Sequence, residues 1–372
     1  MSTNLYSRLS CDPSYKLVQL TPELLEALTS DEPQLQFKCF DEKRSDVVLC
    51  SARRTWLLRQ KNHSNTVMLM REFLPEDEQT QEDSSLFGIP RPINDLLGYS
   101  RTTYEYETRA TEGRINLDLV PIYNGEVNFP GESKLKGRTL KDVFDNSPSS
   151  ETECKVRWYQ LGGCVVNGCP CILSPDMLSN ALHVTLMSAL AESLDFDRLH
   201  PCETYEVVQK DVEKGRSPYV LEVVRTVLAK FGTPNDDETW KLNRRQVAQW
   251  YGVRALQKFA SRHSVPLEEF LIKWKSTFPP FAGFDIDIKM LRGWFCEPTR
   301  GTVQYVSKDT LPVDVKDRFK MLFKLQSQWD LEAFAPFIED LNTKGLKIDT
   351  FIMKYARKRR IGKKIVVCSR TS

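Results

Sequence analysis

The sequence predicts an α+β protein, an antiparallel β-barrel part at the N-terminus followed by three winged-helix domains. Three observations carry this. Short β-prone runs lie close together up to about Tyr123, whereas apolar-striped helices alternate with hairpins from Thr139 onward. A Gly-x-x-Ile-Asp motif also recurs, at Gly283/Ile286/Asp287 and Gly345/Ile348/Asp349, where each of two units starts a third helix. The boundaries that follow are 1–125 for the β-rich part and 138–232, 235–310 and 312–372 for the three helical modules.

In the first part the predicted strands are Lys16–Leu20, Leu35–Phe40, Val47–Ser51, Thr55–Arg59, Thr66–Glu72 and Tyr104–Arg109, with one helix over Pro22–Leu28. Val47-Val48-Leu49 and Val67-Met68-Leu69-Met70 are continuous apolar runs, the pattern of strands buried on both faces. They fit either a self-contained sandwich or a barrel that partner chains complete. Glu76–Ser85 reads as a disordered acidic loop, and Asn124–Lys136 as a connector.

Helices are expected over Leu140–Asn146 and Glu151–Leu161, with Ser147–Ser150 as turn and cap, then a hairpin over Cys164–Ser174 turning at Asn167-Gly168. Met177–Leu194, Tyr219–Phe231 and Arg244–Ala260 follow as helices, and Gly232–Asp237 breaks the chain. Pro266 opens a helix with Leu267, Phe270, Leu271 and Trp274 on one face, and Trp294–Val306 forms a hairpin around Arg300-Gly301. In the last module Val315, Phe319, Leu322 and Phe323 line a helix, Trp329–Phe334 is extended, and Pro336 opens a second helix.

The last module ends in IDTFIMKYARKRRIGKKIVVCSR. Ile348, Phe351, Ile352 and Tyr355 fall on one helical face, Lys354, Arg357 and Lys358 on the other. Arg359 swings back toward the apolar side, which ends the helix near there, and Ile365–Cys368 reads as a strand leading to Arg370. Between Lys354 and Lys364 stand seven Lys/Arg and no acid. The chain carries +2 overall, yet the segment from Lys344 to Ser372 carries +9 and the rest about −7. Basic character confined to one module points to a docking surface for an anion. The expected DNA-binding residues are Lys354, Arg357, Lys358, Arg360, Lys363, Lys364 and Arg370.

Ten scattered cysteines, no signal-like N-terminus and no apolar run of about 18 residues lead to the expectation of reduced thiols in cytosol or nucleus. ARKRRIGKK also suits a nuclear import signal. No phosphate-cradling Gly-rich motif occurs, and the four histidines are not paired at metal spacing. Cys164, Cys169 and Cys171 invite zinc, but two lie at i and i+2 on a predicted strand and no fourth ligand accompanies them, so buried thiols are expected. Asp285 and Asp287 suggest a two-carboxylate nuclease, against which stands their position just before Ile288–Leu291, where carboxylates accept from free helix N–H groups. Most tryptophans recur with Leu and Phe at helical spacing, the mark of core packing. The expectation is a chain with no enzyme activity, metal or cofactor.

Longer segments carry a resemblance. DVVLCSARRTWLLRQKNHSNTVMLMREF (Asp46–Phe73), QWYGVRALQKF, FLIKWKSTFPPF, MLRGW, LFKLQSQWDLEAFAPFIEDL and KIDTFIMKYARKRRIGKK resemble the DCC (defective in sister chromatid cohesion) family, in a form close to that of budding yeasts. The resemblance spans nearly the whole chain. It implies a non-catalytic nuclear subunit of an alternative clamp loader, a replication factor C-like complex. Its partners would be a large AAA+ subunit and a very small companion, sharing a triple β-barrel with the N-terminal part. The winged helices would bind single- and double-stranded DNA and the catalytic subunit of DNA polymerase epsilon, with PCNA handled indirectly. The alternative reading is a sequence-specific winged-helix transcription regulator with an N-terminal dimerisation domain.

Overall fold

The computed structural model describes residues 5–7, 14–30, 35–39, 46–72, 96–129, 137–211, 217–342, 346–362 and 364–370. The expected acidic loop Glu76–Ser85, the end of the connector, Gly345 of the repeated motif and Lys363 lie outside them. The chain is mixed α+β and divides into two units.

The first unit takes in residues 1–121, 132–161 and 168–170. It holds β1 (Leu5–Ser7), β2 (Val18–Gln19), α1 (Pro22–Thr29), β3 (Gln36–Cys39), β4 (Val47–Cys50), β5 (Thr55–Glu72), β6 (Leu96–Thr111), α2 (Leu140–Asp145) and α3 (Glu151–Gln160). The sheet runs β1-β6-β5-β4-β3, with β2 also on β6, and among the described residues it stays open. β1 and β2 pair with β6 in parallel and the other neighbours are antiparallel. Leu24 of α1, Leu49 and Trp56 form the small core, and Thr21 caps α1 by accepting from the Leu24 N–H at 3.3 Å.

Two expected strands, Thr55–Arg59 and Thr66–Glu72, are one strand of 18 residues. Gln60, Lys61 and Asn62 stay in the ladder, where β6 sets acids beside Lys61, and the register shifts between Asn62 and Val67. Lys61 Nζ lies 2.7 Å from Glu107 and 3.6 Å from Glu105, and His63 Nε2 lies 3.2 Å from Glu105. The Glu107 pair also raises the Lys61 pKa. A polar seam fixes α3 to the sheet. The Thr55 hydroxyl donates to Glu153 at 2.5 Å, accepts from the Ser150 N–H at 2.9 Å, and Lys38 Nζ donates to the Ser149 carbonyl at 3.0 Å.

The second unit takes in residues 122–131, 162–167 and 171–372. Its first part holds β7 (Ile122–Tyr123), β8 (Gly163–Val166), β9 (Cys169–Leu173, from Cys171 onward), α4 (Pro175–Ala191), α5 (Pro201–Asp211) and α6 (Leu221–Phe231). Next come β10 (Gly232–Pro234), β11 (Trp240–Leu242), α7 (Arg244–Phe259), β12 (Val265–Pro266), α8 (Leu267–Lys275), β13 (Phe295–Cys296) and β14 (Thr302–Tyr305). The last part holds α9 (Val315–Leu325), β15 (Gln328–Asp330), α10 (Leu331–Phe334), α11 (Ile348–Tyr355), β16 (Arg357–Ile361) and β17 (Lys364–Cys368). Three three-stranded sheets, β7-β9-β8, β12-β14-β13 and β15-β17-β16, are accompanied by the two-stranded β10-β11.

Several expectations change. α5 and β10 have no counterpart in the sequence reading. Gly232–Pro234 pairs with Trp240–Leu242 where a break was expected. The third helix of the middle part shrinks to a 3-10 turn over Ile288–Leu291, since Ala282–Asp287 is not helical and Gly293, at φ 86°, ends it. Only Gln328–Asp330 of the expected extended stretch is a strand, because Asp330 accepts from the Glu332 N–H at 3.1 Å and starts α10. Pro336 sits in a 3-10 turn, Ala335–Phe337, in place of the expected second helix. The repeated motif does two jobs: Asp287 caps the 3-10 turn, whereas Asp349 lies inside the first turn of α11.

Candidate nucleic-acid interface

The terminal basic segment is built on an aromatic core. Phe319 and Leu322 of α9, Trp329, Phe334, Phe337, Phe351, Ile352 and Val367 close one cluster, in which Phe319 lies edge-on to Phe334 and Phe351. Arg318 is buried in the same region. It donates to both carboxylate oxygens of Asp340, at 2.6 and 2.7 Å, and to the carbonyls of Phe337 and Pro312. This fixes α9 against the 3-10 turns that lead to α11.

α11 ends at Tyr355, four residues before the expected end near Arg359. Ala356 is fully extended, at φ −133° and ψ 174°, so the chain passes straight from helix to strand. Arg357–Ile361 then pairs antiparallel with Lys364–Cys368, Ile361 opposite Lys364. The β-branched run Ile365–Val367 takes this neighbour on one side and β15 on the other, which satisfies both edges of the strand. Gly362, at φ 61°, makes the tight turn.

The strand reassigns the cations. Arg357 and Lys358 stand on β16 and not on the outer face of a helix. Alternation along β16 then separates Arg357 and Arg359 from Lys358 and Arg360. Lys358 lies opposite the fully buried Val367, its side chain is 17% exposed, and it is ion-paired with Asp349 of α11. Arg370 donates to the Met353 carbonyl near the C-terminal end of α11. Arg360 Nε donates to the Gly362 carbonyl at 3.3 Å. Lys354, Arg357 and Arg359 are exposed, and among the described residues none of them pairs with a carboxylate. Lys364 is placed by its backbone alone. Arg359, omitted from the expected site because a helix would have turned it inward, joins Arg357, Lys358, Arg370, Met353 and Ala356 around an open cleft of about 470 Å³. Arg360 and Arg370 are exposed as well and meet only carbonyls, so the helix and the hairpin offer at least five cations without a carboxylate partner among the described residues, a surface for a polyanion.

The N-terminal sheet has a different surface. Val48, Leu49 and Cys50 are buried, as the continuous run predicts. The second run is not buried by this chain: Val67, Met68 and Met70 are 39, 37 and 39% exposed, and Phe37 on the edge strand β3 is 65% exposed. These side chains leave apolar surface exposed at two places on the sheet.

Other candidates dissolve. Asp287 accepts from the Lys289 N–H at 2.9 Å and both it and Asp285 are exposed. Among the described residues no three His, Cys, Asp or Glu gather to hold a metal, and no helix is long and apolar enough to cross a membrane. Trp56, Trp158, Trp274 and Trp329 are core residues.

Comparison with known proteins points one way. The family model described as "Sister chromatid cohesion protein Dcc1" matches residues 15–338 and so stops short of α11 and the basic hairpin. "Sister chromatid cohesion protein DCC1" of Saccharomyces cerevisiae is 52% identical over 381 aligned positions, covering 100% of both chains. The protein of that name from Homo sapiens is 24% identical over 357 positions, 91% of this chain and 84% of its own. A "Probable sister chromatid cohesion protein DCC1" from Dictyostelium discoideum is 20% identical over 378 positions, 93% and 91% of the two chains.

Proposed function

The chain belongs to the sister chromatid cohesion protein Dcc1 family, and from that premise we propose that it is a non-catalytic subunit of an alternative clamp loader for PCNA. In this reading residues 1–125 join a large AAA+ subunit and a small companion in a shared triple barrel. Residues 138–232, 235–310 and 312–372 act as winged-helix domains that tether the loader to DNA and to the catalytic subunit of DNA polymerase epsilon, in the nucleus. The observation that carries the reading is the 52% identity to the Saccharomyces cohesion protein along the entire chain. Two physical features support it: the open sheet leaves Phe37, Val67, Met68 and Met70 uncovered, and the terminal hairpin leaves Lys354, Arg357 and Arg359 unneutralised.

The test is affinity purification of the tagged full-length chain from a budding yeast, with mass spectrometry of what accompanies it. An AAA+ protein and a small companion are expected in stoichiometric amounts. A Met68→Asp substitution should release them, because a carboxylate at a covered apolar joint loses its hydration without a partner. A chain that purifies as a homodimer with neither protein would overturn the reading.

A further inference from the structure

The hairpin of β8 and β9 brings two cysteines face to face. Its turn is Asn167-Gly168, with φ of 51° and 76°, the two-residue geometry that matches strand twist. The Leu173 N–H donates to the Gly162 carbonyl at 2.9 Å, and this register sets Cys164 directly opposite Cys171 on one face of the ribbon. Opposed residues of such a pair have Cα atoms about 5.5 Å apart, inside the range of about 4.4–6.8 Å that a disulfide spans. Cys171 Sγ donates to the Cys164 carbonyl at 3.5 Å. Both residues are buried, 2% and 0% exposed. We propose that Cys164 and Cys171 form an oxidative modification site, a dithiol that closes reversibly to a disulfide across the hairpin.

The surroundings single out this pair. Burial pushes the thiols of Cys50 and Cys154 up and that of Cys296 up to about 11, which disfavours their thiolates. Cys164 moves the other way, because the neighbouring Cys171 thiol and then the Thr226 hydroxyl favour its thiolate over the opposing effect of burial. Thr226 also donates to the Gly163 carbonyl at 2.9 Å, which pins the start of β8. With hydrogen peroxide as oxidant, the Cys164 thiolate attacks one peroxide oxygen, the O–O bond breaks, and the departing hydroxide takes up a proton to become water. The Cys171 sulfur then attacks the sulfenic sulfur, the S–S bond forms, and a second water leaves with the Cys171 proton. Two thiols lose two electrons and two protons, and peroxide is reduced to two waters. The disulfide returns to the dithiol when a cellular thiol attacks one of its sulfurs and a second thiol resolves the mixed disulfide.

The tryptic peptide 158–198 carries Cys164, Cys169 and Cys171 together, which makes the test direct. The native full-length chain is treated with hydrogen peroxide, alkylated with N-ethylmaleimide and digested. The expected peptide has lost two hydrogens and is alkylated at Cys169 alone, and prior dithiothreitol restores three alkylations. In C171S, dimedone should label Cys164, and C164S should give no oxidised form of the peptide. Circular dichroism of both variants checks that they fold. The exposed Cys39 and Cys202 report whether oxidant was sufficient. Their oxidation without loss of two hydrogens from peptide 158–198, a bond that involves Cys169, or closure only in urea would overturn the proposal.

Discussion

The middle region, Leu221–Tyr305, and the terminal region, Val315–Cys368, share a plan of helices on a three-stranded sheet but use their cations differently. In the middle region several cations lie against rings or carboxylates. Lys230 Nζ lies 5.2 Å from the Trp250 ring centre and 5.8 Å from that of Phe231, Lys258 and Lys273 lie over Phe259, and Arg254 pairs with Asp176. In the terminal region Arg318 alone is buried, and Lys354, Arg357 and Arg359 stand in solvent. The third helices differ as well, a single 3-10 turn against the two turns of α11. A shared plan therefore does not imply a shared partner. What distinguishes the terminal surface is that its uncountered cations are neighbours, carried by the end of α11 and the strand that follows it.

The largest expected effect tests the shared plan. Trp274 and Trp329 are both buried, and each indole N–H donates to a helix carbonyl at 3.1 Å, Ala248 of α7 and Leu322 of α9. Trp274→Ala and Trp329→Ala should each cost about 3–5 kcal/mol, read by urea unfolding. Gly252 sharpens the point, because a Cβ there would stand 2.6 Å from the Trp274 ring and 2.7 Å from Leu291. Gly252→Ala should cost about 1–3 kcal/mol through overpacking. If only one tryptophan mattered, the two regions would not be equivalent in their cores.

Arg318 comes next. Arg318→Ala removes the charge-assisted bonds to Asp340 and leaves the Phe337 carbonyl without that donor, for an expected loss of about 1.5–3 kcal/mol. Asp340 is itself half exposed, so water takes over part of its solvation and the loss stays below that of a fully buried pair. An unchanged unfolding midpoint would show that α9 is held by the aromatic cluster alone.

How far the residues foretold this can be seen at the same places. The stripe of Ile348, Phe351, Ile352 and Tyr355 announces α11, because an apolar helical face is a local property. Where α11 ends is decided by Lys364–Cys368 needing a neighbour, and periodicity carries no trace of that pairing. The error propagates to the site: helical spacing turns Arg359 inward and Lys358 outward, and strand alternation reverses both. The length of β5 was hidden for a similar reason, since the polar stretch around Lys61 looks like a turn until Glu105 and Glu107 of β6 stand beside it. Asp287 capping its turn was legible because capping is decided within three residues.

The free cations set the third prediction. Each phosphate contact neutralised contributes about 0.9 to the slope of log affinity against log salt on duplex DNA. Replacing Lys354, Arg357 and Arg359 by Ala in the full chain should lower that slope by up to about 2.7 and weaken all sequences alike. Stability should hold, since none of the three is buried. Alanine at Lys258 and Lys273, in the middle region, should leave the slope unchanged. Equal slopes for the terminal triple variant and the parent would remove DNA as the partner of this surface.

The smallest effect concerns one of the ring-facing cations of the middle region. Burial lowers the Lys230 pKa from its ordinary 10.5 to about 8, even with two aromatic rings beside the ammonium. A depressed lysine penalises the folded state while it is charged. The penalty is full below pH 8, shrinks as the folded chain releases a proton that the unfolded chain still holds, and is gone above about pH 10.5. Lys230→Met keeps the stem against Trp250 and removes the charge. It should therefore raise stability by about 1 kcal/mol at pH 7, and the gap should close on the way to pH 10.5. Urea unfolding at pH 7, 9 and 10 measures this. A parent more stable than the variant at pH 7 would mean that attraction to the two rings outweighs desolvation, and the ring-facing cations of the middle region would then be stabilising contacts in their own right.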